Sequence, residues 1–372
     1  MRIAYDHHAF GIQSHGGVSR YFAELVRGLQ RSPGIHPTVI APLHINRHLL
    51  AAEVRPRVRG ILVPRASPRV LRKLNAALAP AFWIGARFDI VHETYFSLKA
   101  GGHGRVRVLT VYDMIHELFP QDFHDAEQVT AAKRAAVKRA DHVICISANT
   151  RRDAIQLLGV DPERSSVIHL AGSLQQHDER PSAEGVPDRP FVLYVGHRAG
   201  YKNFAIVLRA FASSAPLRRD CSLVAFGGSE FTAEETDAIR GAGLFGRVHH
   251  VSGDDRALQA CYRNAAAFVY PSRYEGFGIP PLEAMASGCP VVCSDAGSIA
   301  EVVGDAGAYF QPDDDAGLQA ALERILADAS YADSLREKGS ERLRAFSWSK
   351  CVAETLQTYE RLLGRPNGRA AS

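Results

Sequence analysis

At 372 residues the chain is too long for one ordinary core and suits two domains of usual size. Hydrophobic residues make up 46% and charged residues 23%, which excludes a disordered or fibrous chain, and a net charge of +4 is too small to point to nucleic acid. No apolar run approaches the length of a membrane-spanning helix.

The N-terminus, M-R-I-A-Y-D, enters a strand at once, so no signal peptide is expected and the chain reads as cytoplasmic. Apolar runs then alternate with helical patterns, the signature of a parallel α/β fold. Strands are predicted near Arg2–Asp6, Thr38–Ala41, Ile61–Val63, Ile90–His92, Val106–Tyr112, His142–Ile146 and Val167–Leu170. Helices are predicted over Val18–Gln30, Val70–Ala86, Val129–Arg139 and Ala148–Leu158, the last opened by Ser147 as N-cap. Periodicity stops from Ser173 to Arg189, a linker pattern. A second alternation follows, with strands at Phe191–Gly196, Ser222–Phe226, Val248–Val251, Ala266–Tyr270, Val291–Cys293 and Ala308–Phe310, and a last helix over Trp348–Leu363. The tail after Gly364 is expected to be disordered. Two similar α/β halves joined by a linker imply a cleft between them. The six cysteines form no C-x-x-C pair and read as reduced core residues.

The densest chemistry runs from Tyr270 to Pro290, Y-P-S-R-Y-E-G-F-G-I-P-P-L-E-A-M-A-S-G-C-P. It reads as strand, glycine loop and helix start. In a parallel sheet ligands sit at the carboxyl ends of strands. Backbone N–H groups at a helix start suit a diphosphate, and the carboxylates of Glu275 and Glu283 suit hydroxyls, because an ionised carboxylate only accepts hydrogen bonds. Diphosphate plus sugar hydroxyls describes a nucleotide sugar.

Two glutamates with E-G-F-G between them, preceded by P-S-R-Y and followed by L-E-A-M-A-S-G-C-P-V-V, resemble the donor-site signature of retaining GT-B glycosyltransferases of family 4. Within that family the chain is most similar to bacterial mannosyl- and rhamnosyltransferases of polysaccharide assembly, and the resemblance covers nearly its whole length. It implies two Rossmann-like domains facing a central cleft. An acceptor domain would span 1–172, joined by a crossover helix at 346–364, and a donor domain 190–345. It also implies a nucleotide-sugar donor, with GDP-mannose favoured, and a glycan or lipid-linked glycan acceptor. Retention in relatives is explained by same-face attack, the leaving phosphate taking the acceptor proton. No cofactor and no metal is implied, since cations and helix dipoles serve instead.

Residue by residue, Glu283 would hold the ribose, and Glu275 with the backbone of Gly276, Phe277, Gly278 and Ile279 would hold the sugar. After the strand ending near Gly196, relatives carry an arginine just after the glycine and a lysine five residues later, both on the diphosphate. Lys202 matches the lysine. His197 stands at the arginine position, with Arg198 next. Gly16 and Gly17 would face the diphosphate across the cleft, and Gly227 would line the nucleotide side. Relatives have His-Asp where this chain has Tyr112-Asp113; Asp113 is kept, and His116 is a candidate for the missing imidazole. His7-His8 and His249-His250 read as adjacent strand residues on opposite faces, unable to chelate one ion.

From Arg47 to Arg87 there are nine Lys or Arg and one acid, Glu53. The helix over Val70–Ala86, with Leu71, Leu74, Leu78, Phe82 and Trp83, reads either as core-facing with a basic outer face or as a contact with the anionic inner face of a membrane. Other readings stay open: a different UDP-, GDP- or dTDP-sugar donor with a small soluble acceptor, a GT-B epimerase or phosphorylase, and a non-catalytic nucleotide-sugar-binding protein.

Overall fold

The computed structural model describes residues 1–172 and 185–364. The predicted linker lies largely, and the predicted disordered tail wholly, outside these. The chain divides into two compact units, one of Met1–Leu170 with Trp348–Ser372 and one of Ala171–Ser347.

The first unit has seven parallel strands: β1 (Arg2–Tyr5), β2 (His36–His44), β3 (Val58–Leu62), β4 (Ile90–Glu93), β5 (Val106–Val111), β6 (His142–Cys145) and β7 (Ser165–Val167). Their order is β3-β2-β1-β4-β5-β6-β7. Strands buried on both faces read as apolar runs, which is why the V-I-C of β6 was legible. Three predictions shift. Strand β3 starts at Val58, ahead of the predicted Ile61–Val63. Strand β2 starts at His36 and runs past Ala41: it pairs with β1 as far as Val39 and with β3 as far as His44, with a register shift between Ile40 and Leu43, beside Pro42. Strand β7 pairs Ser165–Val167 with Val143–Cys145, ahead of the predicted Val167–Leu170. Its apolar successors Ile168 and Leu170 are buried without belonging to the strand.

The helix Pro68–Trp83 bears out the core-facing alternative on one side. One face buries Leu71, Asn75, Ala79 and Trp83, with Trp83 packed among Ala4, Ile40, Phe88 and Val91. Asn75 bonds the backbone of Leu43 through Oδ1 (3.0 Å) and Nδ2 (2.8 Å). The other face leaves Val70, Leu74 and Leu78 exposed.

The second unit has six parallel strands: β8 (Phe191–Val195), β9 (Ser222–Phe226), β10 (Val248–Val251), β11 (Ala267–Tyr270), β12 (Val291–Ser294) and β13 (Gly307–Phe310). Their order, β10-β9-β8-β11-β12-β13, is that of a Rossmann sheet, whose winding direction reverses between β8 and β11. Its core packs the Phe204–Ser213 and Asp315–Ala327 helices on Val192, Tyr194, Val269 and Val292.

The helix Trp348–Gly364 belongs to the first unit. Tyr359 Oη lies 2.6 Å from His92 Nδ1 and 3.3 Å from Tyr5 Oη, all buried. This helix packs on Gly17–Leu29, and a Cβ at Gly28 would come within 2.5 Å of a Val352 methyl. Gly28→Ala therefore sets a helix-propensity gain of about 1 kcal/mol against overpacking of about 1–3 kcal/mol. We expect a net loss, seen as a lower denaturant midpoint with unchanged slope. Gly241→Ala, which meets open space in its helix, should not lower the midpoint.

Candidate active site

The loops after β8 and β11 leave the carboxyl edge of the sheet side by side, at the reversal of winding where α/β proteins bind ligands. Arg273 N donates to Tyr201 O (2.8 Å), and Asn203 Nδ2 donates to Pro271 O (3.2 Å) and Pro312 O (2.7 Å). These bonds hold Lys202 over the glycine loop. Its Nζ lies 2.7 Å from Glu275 Oε1, with the side chains 21% and 12% exposed. The structure thus joins two residues read separately from the sequence, 73 positions apart.

Tyr270, the last residue of β11, also reaches this pair. Burial, then the Glu275 charge and a hydrogen bond to its carboxylate, push the Tyr270 hydroxyl well above its ordinary range. It therefore stays a neutral donor to Glu275.

The glycine loop is supported from below by the turn after β12. Ser298 Oγ lies 2.8 Å from Glu275 O and 2.6 Å from Phe277 O, and Ser298 N donates to Glu275 O (3.3 Å). Gly297 has φ +57°, and a Cβ there would come within 3.0 Å of both Glu275 N and O. Sequence reasoning passed over Gly297, Ser298 and Tyr270. The signal was present in the small-residue run D-A-G-S after a buried strand.

Gly278 is the N-cap of the helix Ile279–Ala286. Prolines occupy the second and third helical positions, and proline has no N–H. The expected row of helix-start donors is thus shorter than anticipated: of the first three helical residues only Ile279 offers an amide. Glu283 follows on this helix and is 8% exposed. Its charge helps raise the neighbouring Tyr262 hydroxyl, after burial itself.

Arg198 is buried, its side chain 4% exposed, and committed. Its Nε donates to Glu235 Oε1 (2.8 Å), Nη1 to Gly227 O (3.3 Å), and Nη2 to Ser229 O (2.7 Å). Its guanidinium carbon sits 4.7 Å from the Phe231 ring centre. Glu235 is also the third residue of a capping box with Thr232. A diphosphate bound by Arg198 would have to compete with Glu235. Gly196 and Gly227, both at positive φ, lie at the ends of β8 and β9 and lead into these loops.

Gly16, Gly17, Asp113 and His116 belong to the first unit. Gly16 caps the helix Gly17–Leu29. Asp113 Oδ1 accepts from Ile115 N (3.2 Å) and lies 3.9 Å from the ammonium of Lys133, which is fully buried and paired at 2.7 Å with Glu117. The His116 ring lies against Phe123, and burial lowers its pKa. Tyr112 Oη donates to Thr94 O (2.7 Å), so its hydroxyl is turned into the protein.

At the reversal point of this sheet, between β1 and β4, sits a cluster that the sequence did not announce. Asp6 Oδ1 accepts from Thr94 N (3.0 Å) and Thr94 Oγ1 (2.5 Å), and Oδ2 lies 2.9 Å from His8 Nδ1. The expectation that His7 and His8 point to opposite faces fails. The chain leaves β1 after Tyr5 and enters the helix His8–Ile12, which stacks the two rings at 4.3 Å. Burial alone would raise the Asp6 carboxyl, but the adjacent His8, His7 and Thr94 outweigh it and hold it below the usual range. Burial pushes His8 down, but Asp6 prevails and raises it.

Residues 15–171 match the family "Glycosyltransferase Family 4", and residues 175–342 match "Glycosyl transferases group 1". The chain belongs to the glycosyltransferases of the GT-B fold. It is 29% identical over 276 residues to O-antigen chain mannosyltransferase B of Escherichia coli, covering 70% of this chain and 72% of that one. It is 27% identical over 409 residues to alpha-maltose-1-phosphate synthase of Mycobacterium tuberculosis, covering 97% of this chain and 100% of that one. The fold matches the crystal structure of Anabaena HepE in complex with UDP and glucose with TM-score 0.72 at 18% identity, covering 97% and 99% of the chains. This glycosyltransferase therefore moves a sugar from a nucleotide sugar. Among its described residues no helix is long and apolar enough to cross a membrane.

Its buried histidines set a pH dependence. Burial depresses His7 to about 4 and His92 to about 3. A base kept neutral in the fold contributes stability above its unfolded value of 6.5, and that is lost as pH falls toward the folded value. His8 is raised, so its contribution is present below 6.5 and lost as pH rises through its folded value. Stability should peak near neutrality. Between pH 6.5 and 5 each of His7 and His92 should remove roughly 1.5 kcal/mol. Chemical denaturation at both pH values checks this, and His92→Asn should flatten the slope.

Proposed function

We propose that this glycosyltransferase moves a hexosyl group, mannosyl from GDP-mannose favoured, with retention, to a glycan or lipid-linked glycan. The observation that carries the reading is the Lys202–Glu275 pair across the β8/β11 reversal, beside the helix start at Ile279. In the structure Lys202 neutralises Glu275. A donor diphosphate would draw the ammonium to its oxygens and free the Glu275 carboxylate for a sugar hydroxyl. Glu283 would accept from the ribose, as a buried carboxylate one turn into the helix. Arg198, bound to Glu235, would act by fixing the Gly227 loop. The similarity to a mannosyltransferase supports the sugar, and the likeness to a structure holding UDP and glucose supports a UDP-sugar as the second reading.

On this reading the first unit takes the acceptor. Asp113, His116 and the Gly16-Gly17 turn are its candidate polar elements, and the departing phosphate takes the acceptor proton. A peripheral contact with the inner membrane face would bring a lipid-linked acceptor within reach.

A thermal-shift panel of nucleoside diphosphates tests the donor: GDP should raise the melting point more than UDP. A larger shift with UDP would replace the GDP assignment, and no shift with either would remove the donor site.

Lys202→Ala should slow single-turnover transfer by about a hundredfold or more, because the ammonium matters most as charge grows on the departing diphosphate. A rate within about twofold of the parent would exclude that role.

Transfer should also persist in excess EDTA, since Lys202 and the helix dipole supply the positive potential at the diphosphate. Loss in EDTA with recovery on adding magnesium or manganese would show a metal-dependent reaction.

A further inference from the structure

Two donors of opposite kind meet on the carboxylate of Glu275. One is the Lys202 ammonium, charged and 2.7 Å away. The other is the Tyr270 hydroxyl, neutral and buried. They differ in freedom as well as in charge. Tyr270 closes β11 in register with Cys293 of β12, and its ring centre lies 5.8 Å from that of Phe268. It is fixed to the sheet. Glu275 is fixed too, since its carbonyl oxygen lies 2.8 Å from Ser298 Oγ and accepts from Ser298 N (3.3 Å). Lys202 is held only through the backbone on either side of it. Tyr201 O accepts from Arg273 N, and the Asn203 amide is tied to Pro271 O and Pro312 O. Past its Cα the lysine is a flexible four-carbon stem. Its side chain is 21% exposed, and the ammonium lies 5.2 Å from the Tyr201 ring centre and 5.9 Å from that of Tyr270.

A carboxylate this well buried, 12% exposed, is destabilised when its counter-ion leaves. With Lys202 as its only donor, Glu275 would oppose every move of the ammonium toward a diphosphate. A second, immobile donor weakens that opposition. Tyr270 suits the task because burial, the Glu275 charge and the bond between them all keep its hydroxyl protonated. It stays a donor and adds no negative charge beside the departing phosphate. The two tyrosine ring faces also attract the ammonium without binding it in one place.

We propose that Tyr270 is a positioning residue of the donor site, holding the Glu275 carboxylate in place and hydrogen-bonded while Lys202 exchanges from it to the diphosphate of the nucleotide sugar. Tyr270 touches no part of the donor on this assignment and acts through Glu275. The inference rests on the donor reading above and adds to it the group that makes the exchange possible.

Calorimetric titration of the full chain with GDP and with GMP tests this, with UDP and UMP in their place if the uridine diphosphate gives the larger thermal shift. Tyr270→Phe keeps the ring and removes the donor. It should weaken the diphosphate by about tenfold, the size of one lost hydrogen bond to a charged group. The monophosphate lacks the phosphoryl group that draws Lys202, so its affinity should stay within about twofold of the parent's. In a Glu275→Gln background no carboxylate needs holding, and adding Tyr270→Phe should change diphosphate affinity by less than about twofold. A role in core packing alone would weaken both nucleotides alike and would persist in that background. Either result would overturn the assignment, as would an undiminished diphosphate affinity in Tyr270→Phe. Should Tyr270→Phe fail to fold, Glu275→Gln alone decides whether the exchange occurs. Its Lys202 starts without a carboxylate to leave, so the diphosphate should bind at least as tightly as to the parent, and weaker binding would overturn the exchange. If neither diphosphate binds the parent, the donor reading itself falls. Binding to the parent with no loss in Tyr270→Phe removes only the role of Tyr270.

Discussion

Parallel strands deliver their loops to one edge, and the reversal of winding between β8 and β11 parts two of those loops enough to admit a ligand while keeping them in bonding distance. Everything proposed for the donor depends on this. Lys202 comes from one loop and Glu275 from the other, and neither would meet the other on a sheet wound in a single direction. Their 2.7 Å contact also sets a competition. A partly buried ion pair is of little use to stability if one partner can be better satisfied elsewhere, and a diphosphate offers the lysine more charge than a carboxylate does.

The loops are kept in register by groups that touch no substrate on this reading. Ser298 and Gly297 fix the carbonyls of the glycine loop from the next strand. Glu235 serves both as a helix-capping side chain and as the counter-ion of Arg198, and Arg198 in turn holds Gly227. A change at Thr232 or Glu235 thus reaches the nucleotide side of the sheet through one guanidinium. The first unit shows the same economy of placement at its own reversal point, where a buried aspartate is satisfied by Thr94 and His8.

Much of this was legible in the residues. Strands buried on both faces are written as apolar runs, so Ser222–Phe226 was found at its observed bounds; the edge strand Val248–Val251, only partly buried, was found there too. The Glu275–Glu283 segment announced itself because a glycine loop between strand and helix has few purposes. What escaped reading depended on pairing across the chain. Nothing near Arg198 in sequence says that Glu235 will claim it, and nothing near Lys202 says that it will lie on Glu275. The His7-His8 reading failed for a local reason: strand alternation was extended two residues past Tyr5, where the chain had already turned into a helix. The Pro280-Pro281 shortage of amides was visible in the letters but is easily hidden behind the general rule for helix starts.

The docking of Trp348–Gly364 onto the first unit makes that unit discontinuous in the chain and the second one an insertion within it. On the ribosome the order of completion is therefore inverted. Residues 171–347 emerge with every strand of their sheet before the helix Trp348–Gly364 is made. The seven strands of the first unit precede them and still lack that helix. His92 and Tyr5 lie in that early sheet with polar atoms directed at a tyrosine translated only after the whole second unit. Until Tyr359 is made, that buried cluster lacks one of its three hydrogen-bonding members, and a unit begun earlier is completed by a segment that follows the other unit.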